Sequence, residues 1–255
     1  MSSLPAVNQS DRRVVRTENY DFCNVSAQEA IDGAQMVGFF GPIGSGKSIS
    51  ACHIAIRYQA CYLMLGSEWK KRYFAERLLF ALGLDQHIRQ RNSVAALIDI
   101  AGEELSNSRR LLIIDEFDHA IKNKLVDMVR DLWETSSAPI MIIGEPGLAQ
   151  NLSKDWKQFS SRVAWKPVKP TTLADTRLLC NLHCPDIKIH DDLLLHVLKK
   201  AKGSARSVVA NLKRIRQIGA GMSVEEINLR TWGANELVEN DGHKRWNGTR
   251  WEDVQ

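Results

Sequence analysis

The sequence predicts an α/β protein: a parallel-sheet domain over residues 20–170, then a small all-helical domain over 171–238. Three observations predict this. Short continuous apolar runs recur at Met36–Phe40, Cys61–Leu65, Leu111–Ile114 and Ile140–Ile143, as strands buried on both faces require. Between them lie segments with apolar residues at helical spacing, the alternation expected of a parallel sheet. After Thr172 only helical spacing is visible.

With 255 residues, 44% apolar and 25% charged, the chain reads as globular with a sizeable core. No stretch approaches the ~20 apolar residues of a membrane span. Residues 1–19 carry Arg12, Arg13 and Arg16 but no apolar segment, so a flexible basic arm is expected and not a secretory leader. A cytoplasmic protein is the expectation. Five scattered cysteines fit reduced thiols. Cys180-x-x-His183-Cys184 lacks a second ligand pair, which weighs against zinc. A net charge of +4 means that any nucleic-acid affinity must come from a local patch.

In chain order, Tyr20 and Phe22 are the first aromatics and are placed to close over the edge of a nucleotide pocket. The apolar run Met36–Phe40 then leads into Gly41-Pro42-Ile43-Gly44-Ser45-Gly46-Lys47-Ser48, and Ile49 opens an apolar-periodic helix. Strand, glycine loop and helix together make G-x-x-x-x-G-K-[ST] a phosphate-binding device. Its glycines let backbone N–H groups turn inward, and the helix adds its positive end. Lys47 is suited to the β- and γ-phosphates of ATP, and Ser48 to Mg2+. A second strand, Cys61–Leu65, is followed by the charged and aromatic stretch Glu68–Tyr73. One helix ends at Gly83, and Ser93 is placed to cap the next.

Leu111–Ile114 ends in Asp115-Glu116. Ligands of open α/β sheets bind beyond the carboxyl ends of the strands. Asp115 is therefore assigned to Mg2+, and Glu116 to the water that attacks the γ-phosphate. The strand Ile140–Ile143 ends at Gly144-Glu145-Pro146. Arg162 precedes a last strand, Val163–Trp165. Thr172-x-x-Asp175 is a capping-box variant. Helices are expected at 172–182, 191–201 and 204–218, with a fourth starting at Ser223-x-x-Glu226. Residues 151–219 hold 14 Lys/Arg against 5 Asp/Glu, so the basic surplus is concentrated there. Residues 239–255 read as a flexible basic and aromatic tail whose Trp246 and Trp251 could anchor a partner.

These residues resemble an AAA+ ATPase, and more narrowly the DNA-transposition ATPases of the Mu B, TnsC and IstB kind with their ExeA-like relatives. Leu112–Ala120, Val129–Thr135, Ile142–Leu148, Ser161-Arg162-Val163 and Gly203-Ser204-Ala205-Arg206 carry the resemblance, over about residues 20–220. It implies an ATPase domain with a helical lid, ATP and Mg2+ as cofactors, and a homo-oligomer forming a ring or filament. It puts Glu145 at the γ-phosphate-sensing position, where Asn, Thr or Gln is usual. It makes Arg162 a finger acting on a neighbour's nucleotide, and Arg206 a lid arginine. Lys47, Glu116, Glu145 and Arg162 then form the catalytic set. Gly41 through Ile49 and Arg206 bind nucleotide, and Ser48 and Asp115 hold the metal.

Mu B is thought of as carrying a helix-turn-helix before its ATPase, and here only about twenty unpatterned residues precede it. DNA binding would fall to the ATPase domain, with Lys70, Lys71, Arg72, Lys122 and Lys124 as candidates. Double-stranded DNA would be held with little sequence preference, because no base-reading motif is visible. A transposase or other recombination protein is the implied partner. The competing reading is an adaptor or loader ATPase that remodels a protein partner with little DNA affinity. A small nucleotide kinase fits less well with a helical lid and paired acids.

Overall fold

In the computed structural model, residues 14–85, 87, 92–240, 244–246 and 251–253 are described. The first compact unit comprises Cys23–Phe40 and Ser48–Lys166. Its sheet has the order β2-β3-β4-β1-β5. The inner strands β1 (Met36–Phe40), β3 (Leu112–Asp115) and β4 (Ile140–Gly144) are buried at every residue. The edge strands β2 (Cys61–Met64) and β5 (Val163–Pro167) are less so. Unbroken Ile, Leu, Val and Phe runs are thus what the inner positions demand. Pro167 is tolerated because its strand is an edge.

The β2–β3, β3–β4 and β4–β1 pairs are parallel. Phe40 lies opposite Gly144, and Met64 opposite Asp115. The carboxyl ends therefore lie along one edge of the sheet. Helix α2 (Lys47–Arg57) follows β1, and α3 (Lys71–Leu82) and α4 (Val94–Ser108) separate β2 from β3. Gly83 closes α3 at φ 89°, and the Ser93 hydroxyl caps α4 by accepting from Ala96 N–H at 3.2 Å. Between β3 and β4 lie α5 (Asp118–Lys122) and α6 (Val126–Ser136); α7 (Leu148–Asp155) and α8 (Lys157–Ser160) precede β5. One core joins Leu78, Leu97, Leu105, Leu132 and Phe159 to the sheet.

The N-terminal helix α1 (Glu18–Gly33) was not anticipated. Its buried positions include Tyr20, Cys23, Ala27 and Ala30, mostly small side chains that leave a faint apolar pattern.

The second unit comprises residues 14–22, Gly41–Lys47 and the chain from Pro167 onward. Helices α9 (Leu173–His183), α10 (Asp191–Ala201) and α11 (Ala205–Met222) share a core of Leu179, Leu193, Val197, Leu212 and Ile215. Thr172 and Asp175 form the expected capping box. The helix expected from Ser223 is absent. Helix α11 continues to Met222, and Ser223 terminates it at φ 55°. Beyond it, β7 (Glu226–Ile227) pairs in parallel with β6 (Lys188–Ile189), and α12 (Leu229–Trp232) is capped by Asn228. Ile227 is wanted in the core, and an extended segment delivers it there.

The stretch read as a flexible tail contributes an antiparallel pair, β8 (Lys244–Trp246) with β9 (Trp251–Asp253). Trp251 is buried, and its indole N–H donates to Val168 O at 2.8 Å. Arg16 pairs with Asp21. Arg12, Arg13 and Arg250, and the side chains of Lys244, Arg245 and Trp246, lie outside the described residues. All five cysteines are free and buried. No helix among the described residues is long and apolar enough to cross a membrane.

Asn211 on α11 is fully buried. Its amide donates to Val238 O at 2.9 Å and accepts from Val238 N–H at 2.7 Å. Asn211→Leu removes both bonds, leaving Val238 to water at a half-exposed position, so a loss of about 1–2 kcal/mol is expected in denaturant unfolding.

Candidate active site

The phosphate loop Gly41–Lys47 falls in the second unit because the start of α11 packs on it. Arg206 N–H donates to Gly44 O at 2.9 Å. Gly44 and Gly46 have φ of 82° and 92°, a region L side chains enter with strain. A Cβ on Gly44 would lie 2.7 Å from Ser204 Oγ. Gly41 is equally confined, by Val168 and Trp251. Lys47 Nζ donates to Gly41 O at 2.7 Å and Pro42 O at 2.8 Å, while Ser45 Oγ donates to Pro42 O at 2.9 Å. The lysine is thereby held across its own loop. The Arg206 side chain is exposed and forms none of the ion pairs found among the described residues. Ile43 in the loop and Ile49 in the first turn of α2 expose 63% and 58% of their surface.

In the first unit, Asp115 is 2% exposed at the end of β3. Its Oδ2 accepts from the Tyr62 hydroxyl at 2.6 Å, and its Oδ1 from Glu116 N–H at 2.8 Å. Such charge-assisted bonds keep a buried carboxylate tolerable. Burial, and then the charge and hydrogen bond of Asp115, push the Tyr62 phenol far above its ordinary pKa, so it stays a donor. Glu116 is half-buried at φ 57°. A left-handed conformation in a residue other than glycine costs about 1–2 kcal/mol, and here it turns the chain abruptly off the strand.

The residues fit a magnesium ion. Each Asp115 oxygen accepts one hydrogen bond and keeps a lone pair, and Ser48 is a second oxygen donor in the same unit. Magnesium is commonly held by one or two protein oxygens plus substrate phosphates, not by a full protein cage. Among the described residues, no group of three or more His, Cys, Asp and Glu side chains could form such a cage. When bound, the ion would neutralise phosphate charge.

Glu145 is exposed, and its backbone N–H donates to Asp118 Oδ2 at 2.7 Å. This links the turn after β3 to the end of β4. Gly144 permits it, since a Cβ there would lie 2.4 Å from the same oxygen. Arg162 stands in the turn before β5. It pairs with Glu134 of α6 and lies over the Trp133 ring at 5.7 Å. Both partners of the ion pair are about 40% exposed or more, so exchanging it costs at most about 1 kcal/mol.

The two basic segments meet. Asn123 Nδ2 donates to Gly66 O at 3.2 Å, tying the loop after α5 to the loop after β2. Trp69 packs on Gly66 and stands edge-on to Tyr73 at 5.1 Å. Lys70, Lys71, Arg72, Lys122 and Lys124 are all exposed. Arg72 is partly committed, to Glu76 at 2.8 Å and Asn92 O at 3.2 Å. Sequence reasoning missed Tyr62, Asp118 and Asn123. Tyr62 sat inside an apolar run, and the other two act through contacts distant in sequence.

A family model described as an AAA domain matches residues 30–152. The match covers just under half of the chain and agrees with the parallel-sheet P-loop ATPase fold described above. Similar solved structures agree on this fold. The Aeropyrum pernix ORC2 protein, in ADPNP and ADP complexes, superposes with a TM-score of 0.58 at 14% identity, over 82% of this chain and 64% of that one. The Thermotoga maritima RuvB Holliday junction branch migration motor gives 0.56 at 19%, over 86% and 69%. Cdc6p from Pyrobaculum aerophilum gives 0.61 at 13%, over 82% and 63%. The chain thus spans less than two thirds of ORC2 and Cdc6p. No curated protein matches the sequence.

Gly44→Ala meets both strain and the Ser204 hydroxyl, whereas Gly46→Ala meets strain alone, with nothing within 4 Å. Gly44→Ala is expected to be the more destabilising by about 1 kcal/mol in nucleotide-free thermal unfolding.

Proposed function

We propose that this chain is an ATP-dependent, oligomeric DNA-binding ATPase that selects target DNA and activates or recruits a transposase. The observation that carries the reading is the junction of two basic loops through Asn123 and Gly66 in the unit that ends β3 in Asp115-Glu116. Four exposed lysines lie on the two segments that this hydrogen bond joins. A few phosphate contacts per subunit, repeated along an assembly, supply affinity that a net charge of +4 does not. RuvB, one of the similar folds, is itself a branch migration motor. The residues quoted above as resembling transposition ATPases support the narrower role.

In this reading Lys47 and the loop amides bind the ATP phosphates, and Ser48 and Asp115 hold Mg2+. Glu116 orients the attacking water. Glu145 is read as the γ-phosphate sensor, a role the hydrogen bond from its backbone N–H to Asp118 supports, and Arg206 as the lid arginine that reaches the nucleotide. Arg162 leaves Glu134 to serve as a finger on a neighbour's γ-phosphate. ATP between subunits favours assembly, and hydrolysis reverses it.

A second reading, an adaptor that remodels a protein partner, is favoured by one observation. Tyr73 and Met64 are 47% and 39% exposed near the same loops, an apolar component that a protein would cover.

Fluorescence anisotropy with a labelled duplex and a slowly hydrolysed ATP analogue decides between them. DNA binding is expected, falling steeply with salt. Lys122→Glu with Lys124→Glu should lower affinity at least about tenfold at constant ATP binding. Salt-independent binding, or none, supports the adaptor. Glu116→Gln should keep ATP and the assembly while losing about 10²-fold or more in turnover. Wild-type turnover removes Glu116 from its role.

A further inference from the structure

Tyr62 lies in the edge strand β2, where the apolar run calls for nothing but hydrophobic filling. Its ring is 5% exposed, and its hydroxyl is 2.6 Å from Asp115 Oδ2. The pairing of β2 with β3 sets this up, since Tyr62 lies opposite Ile113, two residues before the aspartate. Cys52 of α2 stands beside the same phenol. Cys52 is one helical turn beyond Ser48, so the phenol touches both the strand bearing Asp115 and the helix bearing Ser48.

A carboxylate has two oxygens and a soft terminal torsion. Asp115 is held at both oxygens, by the Tyr62 hydroxyl and by Glu116 N–H. Its plane is thereby set before any cation arrives. Ligand carboxylates in metal sites are commonly oriented by such outer partners, and removing one typically costs 10–100-fold in metal affinity or activity. A phenylalanine would fill the same volume in the sheet, so filling alone does not account for a hydroxyl at this depth. A buried hydroxyl without a partner is costly, and the partner here is the candidate metal ligand itself.

We propose that Tyr62 is a positioning residue that orients Asp115 for the divalent cation accompanying the nucleotide. This rests on the nucleotide reading given above. The hydroxyl acts through Asp115 and touches neither nucleotide nor metal.

The test is Mn2+ binding to the ADP-loaded full chain, followed by electron paramagnetic resonance of the free ion, with no turnover required. Tyr62→Phe is expected to raise the Mn2+ dissociation constant about 10–100-fold. Its affinity for ADP in chelator should stay at the wild-type value. In an Asp115→Asn background the same substitution should add nothing, because the two act as one unit. An unchanged or lowered Mn2+ constant overturns the proposal, as does an equal effect in the Asp115→Asn background. Loss of metal-free ADP binding in Tyr62→Phe also overturns it, making Tyr62 a folding residue. Should the wild-type chain take up no ADP at all, the nucleotide reading falls first and this inference with it.

Discussion

The burial of whole strands is the constraint from which the rest follows. The inner strands β1, β3 and β4 expose no residue, so polar groups have no place along them. In a parallel sheet the strands begin together and end together. Charge is thus driven to one edge, where Asp115 and Glu116 close β3 and Glu145 follows β4. Asp115 is the one acid that stays inside the last strand position, and it does so with a hydroxyl on one oxygen and a backbone amide on the other. Its neighbour Glu116 escapes the strand by an unusual backbone turn instead. The two adjacent acids therefore meet the same constraint in opposite ways, one fixed and buried, one swung out.

Much of this was legible in the sequence. Strands β1 to β4 showed as apolar runs, because little of them meets water, and β5 only as the short segment Val163–Trp165. Ser93, Gly83 and Thr172 with Asp175 marked helix ends, because capping chemistry is local to three or four residues. The glycine loop declared itself for the same reason. What was not legible depended on distance along the chain. Tyr62 and Asp115 are 53 residues apart, and Asn123 and Gly66 are 57. No periodicity reports such a meeting. Helix α1 was missed differently, since alanine and cysteine fill its buried face without a strong apolar pattern. Ser223 misled because a serine can end a helix as well as begin one, and the core's demand for Ile227 decided the matter.

Arg162 and the basic loops show how the surface differs from the core. The arginine is engaged within its own chain by Glu134 and Trp133, in a pair weak enough to be exchanged. Arg72 is similarly shared with Glu76, which leaves the lysines as the less committed cations of that region. Glu145 is exposed, yet its backbone is held by Asp118 with the room that Gly144 provides. The turn is fixed through the main chain while the side chain stays at the surface.

Helix α11 begins on the phosphate loop and runs for 18 residues, about 27 Å. Leu212 and Ile215 lock it into the core it shares with α9 and α10. A shift at Gly44 is therefore handed on to that whole core and not absorbed on the spot, because close-packed interiors transmit strain.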